Sequence, residues 1–263
     1  MKPAADAQLH AVEDGRGEGV PLVFLHGFGA SAGMWSDIQR AFAGDHATIA
    51  YDLPGHGRSM LASGLERTGK MAGAIARDLE QRGHGRVHLV GHSMGGSVAT
   101  LIALRAPGRI ASMTLLAPGG YGPEINHRLL RRYASAGTRS EMLAALENMF
   151  GWNNAVPDKL LDDLVAARGE PGAAEGLGVI LENMLQRDGD DLYQGTFRRA
   201  DLAELQMPVK VLWGTQDRVL PTRQAHRLPP MFAAHVFENT GHMLIEERPD
   251  AVISLIRQNM RAA

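Results

Sequence analysis

Three residue types that cooperate in nucleophilic catalysis stand in order along the chain: Ser93, Asp217 and His242. Ser93 sits in Gly91-His92-Ser93-Met94-Gly95, behind the apolar run 87–90 (VHLV) and ahead of a helical pattern. A tight strand-to-helix turn lifts such a serine above a sheet, and glycines flank it where larger side chains would clash. A serine alcohol is a weak nucleophile until a histidine takes its proton, and the histidine needs a carboxylate to orient it. Asp217 follows the run 209–213 (VKVLW), and His242 follows the run 235–237 (HVF). Both therefore fall at carboxyl ends of expected strands, the edge where parallel α/β sheets build sites. An acyl-transfer site also needs N–H donors for a developing oxyanion. The backbone N–H groups of Met94 and of Phe28, in His26-Gly27-Phe28-Gly29, suit that role.

Other reactive residues read as structural. The chain has eleven histidines and no cysteine, which excludes disulfides, thiolate catalysis and thiolate metal sites. His84, His88 and His92 share no helical face, because 87–90 reads as strand, so no metal and no cofactor are expected. His84 and His88 read as surface or packing residues, and His92 as a group packed below the site. The turn Asp52-Leu53-Pro54-Gly55-His56-Gly57-Arg58-Ser59 reads as a structural loop that an Asp52–Arg58 pair would fix.

Short apolar runs with a breaker behind them (21–26, 47–51, 87–90, 113–117, 209–213 and 235–237) alternate with amphipathic stretches. That alternation predicts an α/β fold, a mostly parallel sheet with helices on both faces. Residues 121–195 break it: they hold no strand pattern, and helical patterns at 129–136, 141–150, 158–167 and 173–186. The expected organisation is a core of residues 1–120 and 196–263 with a helical cap, or lid, at 121–195. Tyr121, Phe150, Trp152, Met184 and Met243 are expected to line a mostly apolar substrate pocket, with Met149 and Asn183 as further cap candidates.

A net charge of −2 over 263 residues offers no basic surface for nucleic acid or an anionic membrane. The N-terminus, MKPAADAQLHAVEDG, has no apolar signal core, and no apolar stretch reaches the ~20 residues of a membrane span. The expectation is a soluble, cytoplasmic protein whose partner is a small-molecule acyl substrate.

Together, the 26–29 loop, the 52–59 turn, the elbow at 91–96, Asp217 and Gly241-His242 resemble the α/β-hydrolase superfamily. The resemblance covers essentially the whole chain and implies a mostly parallel, eight-stranded sheet flanked by helices, with the cap inserted after strand 6. The segment 114–126 (TLLAPGGYGPEIN) and the stretch 209–256 are similar to the hydrolase-like domain of the acetoin dehydrogenase E2 component, a dihydrolipoamide acetyltransferase. The stretch ahead of the first strands is too short for the lipoyl domain of that family. Meta-cleavage-product hydrolases and enol-lactonases look alike at the same motifs, although meta-cleavage enzymes usually carry tryptophan where Met243 stands here. The reading that follows is a serine hydrolase cleaving a small or medium ester, thioester or lactone through an acyl-enzyme on Ser93. Its alternatives are acyl transfer to a thiol or alcohol, C–C bond hydrolysis of the meta-cleavage type, and a non-catalytic ligand-binding protein on the same fold.

Overall fold

The apolar runs form the strands of one sheet. The structure, a computed structural model, describes residues 9–17, 19–60 and 66–263. Most of the N-terminal segment read above for a targeting signal, residues 1–8, lies outside the described residues. The strands are β1 (Ala11–Asp14), β2 (Leu22–Leu25), β3 (Thr48–Tyr51), β4 (Val87–His92), β5 (Ile110–Leu116), β6 (Leu185–Asp188), β7 (Asp191–Gln194), β8 (Val209–Gly214) and β9 (Ala233–Phe237). The order in the main sheet is β1-β3-β2-β4-β5-β8-β9, parallel throughout except for β1, which runs antiparallel to β3 at the edge. Every residue of β2, β3, β4 and β5 is buried, as strands covered on both faces require. Eight strands were expected in the main sheet, and seven form it among the described residues. β1 is already the antiparallel edge strand, and only His10 and Leu9 precede it there.

The strand order reverses at β2, whose neighbours are β3 on one side and β4 on the other. Leu25 lies opposite Gly91 in the β2–β4 register. The carboxyl ends of these two strands therefore deliver residues 26–29 and Ser93 side by side, at the switch point where α/β sheets open a crevice.

The helices are α1 (Ser36–Phe42), α2 (Thr68–Gln81), α3 (Met94–Arg105), α4 (His127–Ser135), α5 (Arg139–Leu146), α6 (Asp158–Arg168), α7 (Ala173–Met184), α8 (Arg199–Ala203), α9 (Leu244–Glu247) and α10 (Pro249–Arg261). Helices α2 and α3 pack as one pair, and α1 and α10 as another. The insertion leaves the sheet after β5, the fifth described strand, and holds α4 to α7. Helix α5 starts earlier than its apolar pattern suggested because Thr138 and Glu141 form a capping box.

The insertion also contains a hairpin that the sequence reading missed. Helix α7 stops at Met184, and β6 and β7 pair antiparallel around the two-residue turn Gly189-Asp190, with Gly189 at φ 58°. The buried side chain of Gln194 then returns the chain to the core. Its amide donates to the Gly122 carbonyl at 2.8 Å, and its carbonyl accepts from the Gly120 N–H at 3.1 Å.

Asn259 on α10 is buried against the sheet, where its amide donates to the Met113 carbonyl at 2.9 Å and to the Thr114 hydroxyl at 3.0 Å. Replacing it with leucine strands both acceptors. Asn259→Leu is expected to lower unfolding stability by about 1–3 kcal/mol, read as a lower urea midpoint at an unchanged denaturant slope.

Candidate active site

Ser93 caps α3 in a backbone conformation that L-residues rarely adopt, φ 52° and ψ −116°. Three contacts fix it there. Its N–H donates to the Leu116 carbonyl at 2.9 Å, and its carbonyl accepts from Gly96 at 2.9 Å and from Gly119 at 3.0 Å. The neighbouring glycines are required by space. A Cβ on Gly95 would lie 2.2 Å from the Leu25 carbonyl oxygen, and one on Gly91 would lie 2.6 Å from the Gly95 oxygen. Met94 is the first residue of α3, so its N–H has no carbonyl of that helix to bond and adds to the positive end of the helix dipole.

The loop carrying Phe28 runs against the same turn. A Cβ on Gly27 would come within 3.3 Å of the Ser93 Cβ and 2.8 Å of His92 Nδ1. Buried His26 sets the path of this loop. Its Nδ1 donates to the Gly27 carbonyl at 2.7 Å, and its Nε2 accepts from the Leu53 N–H at 2.9 Å. The 52–59 turn is in turn organised by Asp52, which accepts from the N–H groups of Ala32 at 2.7 Å and Arg58 at 2.8 Å, and from His10 Nδ1 at 2.8 Å. The expected Asp52–Arg58 pair thus forms through the arginine's backbone. The Arg58 guanidinium instead donates to His10 Nε2 at 3.0 Å.

His242 Nδ1 donates to Asp217 Oδ2 at 2.8 Å, with both side chains buried. The rest of the carboxylate is occupied: Oδ1 accepts from Val219 and Leu220 N–H at 2.8 and 2.9 Å, and Oδ2 also accepts from Trp213 Nε1 at 3.1 Å. With its Nδ1 proton committed to Asp217, a neutral His242 keeps a lone pair on Nε2. The His242 backbone is held on both sides. Its N–H donates to the Met149 carbonyl at 2.6 Å, and its carbonyl accepts from His92 Nε2 at 2.9 Å. His84 is half-buried between α2 and β4, and His88 bonds Ser112 inside the sheet at 2.8 Å.

The Met149 contact belongs to a strap that sequence reasoning missed. Arg218 donates to the carbonyls of Asn148 at 3.0 Å and of Glu147 and Phe150 at 2.6 Å each. Gly151 N–H donates to Glu247 at 2.8 Å, Trp152 N–H to Gln216 at 2.8 Å, and Asn154 to the Asn239 carbonyl at 2.9 Å. Residues 147–154 are therefore stitched to the loops that carry Asp217 and His242. No periodicity announces this strap, because its bonds run through main-chain groups.

Ser93 and His242 line one narrow cavity together with Phe28, Tyr133, Met149 and Met243. Met243 and Met149 are where the pocket expectation put them. The others are elsewhere. Phe150 is buried beneath, in the core. Tyr121 is buried with its hydroxyl on Thr100 at 3.0 Å and its ring against Phe197. Trp152 is 73% exposed, and Met184 ends α7 half-buried against the core. Asn183, nearby, accepts from Arg67 on the surface. Tyr133 was missed, although Leu129, Leu130 and Tyr133 form one apolar face of α4. Among the described residues, no three His, Asp or Glu side chains gather as a metal site, and no helix is long and apolar enough to cross a membrane.

Residues 22–255 match the family model described as the alpha/beta hydrolase family. This chain belongs to the alpha/beta hydrolases. Among curated relatives of this alpha/beta hydrolase is the dihydrolipoyllysine-residue acetyltransferase component of the acetoin cleaving system of Cupriavidus necator, 32% identical over 91% of the chain and 63% of that protein. The chain thus spans about three fifths of the curated relatives it matches first. A 2-hydroxy-6-oxononadienedioate/2-hydroxy-6-oxononatrienedioate hydrolase of Burkholderia vietnamiensis is 29% identical over 99% of the chain and 93% of its own length. Among solved structures, the 2-hydroxy-6-oxo-6-phenylhexa-2,4-dienoate hydrolase of a Rhodococcus strain superposes with a TM-score of 0.83 at 22% identity, over 97% of this chain and 95% of that one, which shows the shared fold.

Two histidines of this alpha/beta hydrolase flank the site in neutral form. Burial pushes the pKa of His92 down to about 3, with His242 nearby adding to the effect, and burial likewise pushes His56 down to about 3. The unfolded chain takes up more protons than the folded one between about pH 6.5 and these depressed values. The stability that neutral burial supports is therefore full above pH 6.5 and lost as pH falls. Urea midpoints are expected to drop between pH 6.5 and 4, with a slope of up to about 1.4 kcal/mol per pH unit for each histidine. A second expectation concerns the elbow. Gly95→Ala drives a methyl into the Leu25 carbonyl and should cost about 1–3 kcal/mol or more, measured by the same titration.

Proposed function

We propose that this alpha/beta hydrolase cleaves a small or medium carboxylic ester, thioester or lactone through an acyl-enzyme on Ser93. The observation that carries the reading is the shared cavity of Ser93 and His242, with Asp217 fixing the histidine's Nδ1 proton.

In this reading His242 Nε2 takes the Ser93 hydroxyl proton as the oxygen attacks the substrate carbonyl. The tetrahedral oxyanion accepts hydrogen bonds from the Phe28 and Met94 N–H groups. His242, now an imidazolium stabilised by Asp217, passes its proton to the leaving alkoxide or thiolate as that bond breaks. It then removes a proton from water, which attacks the acyl-enzyme, and returns that proton to Ser93 as the acid departs. The depressed pKa of His92 supports its assignment as a structural neighbour, which keeps its charge away from His242.

The relative from Cupriavidus necator favours a second reading, acyl transfer to a thiol in place of water. Product partition with and without a small dithiol separates the two, since an acceptor that captures the acyl group lowers free acid in proportion.

Fluorophosphonate labelling followed by peptide mass spectrometry is expected to place the adduct on Ser93 in folded protein. An unlabelled Ser93 overturns both readings. Ser93→Ala, His242→Gln and Asp217→Asn should each lower kcat on an accepted ester by about 10³-fold or more.

A further inference from the structure

Strand β9 is a free edge of the main sheet. It pairs with β8 on one side, and no strand lies beyond it among the described residues. The Thr215 N–H donates to the Phe237 carbonyl at 2.9 Å, so Phe237, and by alternation His235 and Ala233, turn their main-chain groups toward β8. The N–H and C=O groups of Ala234 and Val236 therefore point away from the sheet. Their side chains lie on the face that no helix covers: Ala234 and Val236 are exposed, whereas His235 and Phe237 are half-buried.

An exposed edge is a template for pairing with another chain, and native strands discourage this with charge, proline or a bulge. The opposite edge of the sheet is defended in that way, since β1 ends in the exposed acids Glu13 and Asp14. Strand β9, Ala233-Ala234-His235-Val236-Phe237, has no acid, lysine, arginine or proline, and its register with β8 runs unbroken. Burial, and the Lys210 ammonium 3.4 Å from Nε2, hold the pKa of His235 below the usual imidazole value. Large apolar side chains are exposed along the same edge. Met231 (59%) precedes the strand and Val236 (44%) lies within it. Exposed Trp152 sits on the strap that Gln216 ties to Asn239, just past the strand's end.

The occupant that fits this edge is a second copy of the same strand. Laid antiparallel across a two-fold axis at His235, Ala234 of each copy lies opposite Val236 of the other. Each such pair exchanges two main-chain bonds, which uses every outward N–H and C=O of Ala234 and Val236. Val236 packs on Ala234, the two neutral His235 rings face each other, and Glu238, the first charge past the strand, falls opposite Phe232. We propose that two copies of this chain pair through β9, joining their sheets into one. A two-fold contact closes on itself, so association stops at the dimer. A five-residue ladder falls short of a standard interface, and the expected dissociation constant is about 1–100 μM.

Sedimentation equilibrium on the full chain, from about 1 to about 300 μM, tests the proposal. The mass is expected to rise with concentration from that of one chain toward that of two. Val236→Lys puts a charge on the edge, and Ala234→Pro removes an outward N–H without touching the β8 ladder. Both variants should keep the native circular dichroism and stay monomeric. The register is read by cross-linking, which the lack of native cysteine makes unambiguous. His235→Cys sets two thiols on a non-hydrogen-bonded pair with Cα atoms ~4.5 Å apart, so copper phenanthroline should oxidise it to a covalent dimer. Val236→Cys leaves the two thiol-bearing Cα atoms about 9 Å apart and should not cross-link. A monomer over the whole concentration range overturns the proposal. So does a dimer that survives both edge substitutions, which puts the contact elsewhere, and so does a mass that grows beyond the dimer, which marks head-to-tail stacking. Cross-linking at position 236 in preference to 235 overturns the two-fold pairing.

Discussion

The arrangement depends on one unfavourable backbone conformation. Ser93 sits at φ 52°, where a side chain costs of order 1–3 kcal/mol, and it stays there because everything around it over-determines the turn. Strand β4 enters from the middle of the sheet, α3 leaves at once, and the Leu116, Gly96 and Gly119 contacts close on its main chain. The glycines at 91 and 95 remove the atoms that would otherwise prevent α3 from lying against β2 and β4. The strain is local, and the strands around it, β2 to β5, are buried throughout.

The rest of the site is assembled by main-chain bonding more than by side-chain packing. His26 joins the Phe28 loop to the 52–59 turn, Asp52 gathers three donors, and His92 and Met149 fix the backbone of His242 from opposite sides. Several of these fasteners are histidines that burial keeps neutral. A neutral imidazole offers one donor and one acceptor, and His26 uses both within hydrogen-bonding distance.

Much of this was legible in the sequence, and the reason is geometric. The Ser93 motif, Asp217 and His242 each follow a buried strand run, and parallel strands send their carboxyl ends to one edge, so linear order sufficed to bring Asp217 to His242 and His242 to the cavity of Ser93. The strap and the pocket wall were not legible. Trp152 and Tyr121 looked like pocket residues because aromatic type says nothing of direction. One points to solvent, and the other packs on Thr100 and Phe197. The β6–β7 hairpin did leave a signal, Asp188-Gly189, but the helical pattern read over 173–186 ran almost up to it and took in Leu185 and Gln186, which belong to β6.

The stitching of residues 147–154 to the loops of Asp217 and His242 divides the insertion into two kinds of chain. The strap is bonded to the loops of Asp217 and His242, whereas α4 lines the Ser93 cavity through Leu130 and Tyr133 without bonding to His242, and α6 and α7 do not reach that cavity. Those helices can therefore lengthen, shorten or change their surface without disturbing the bonds that hold Asp217 and His242 in place.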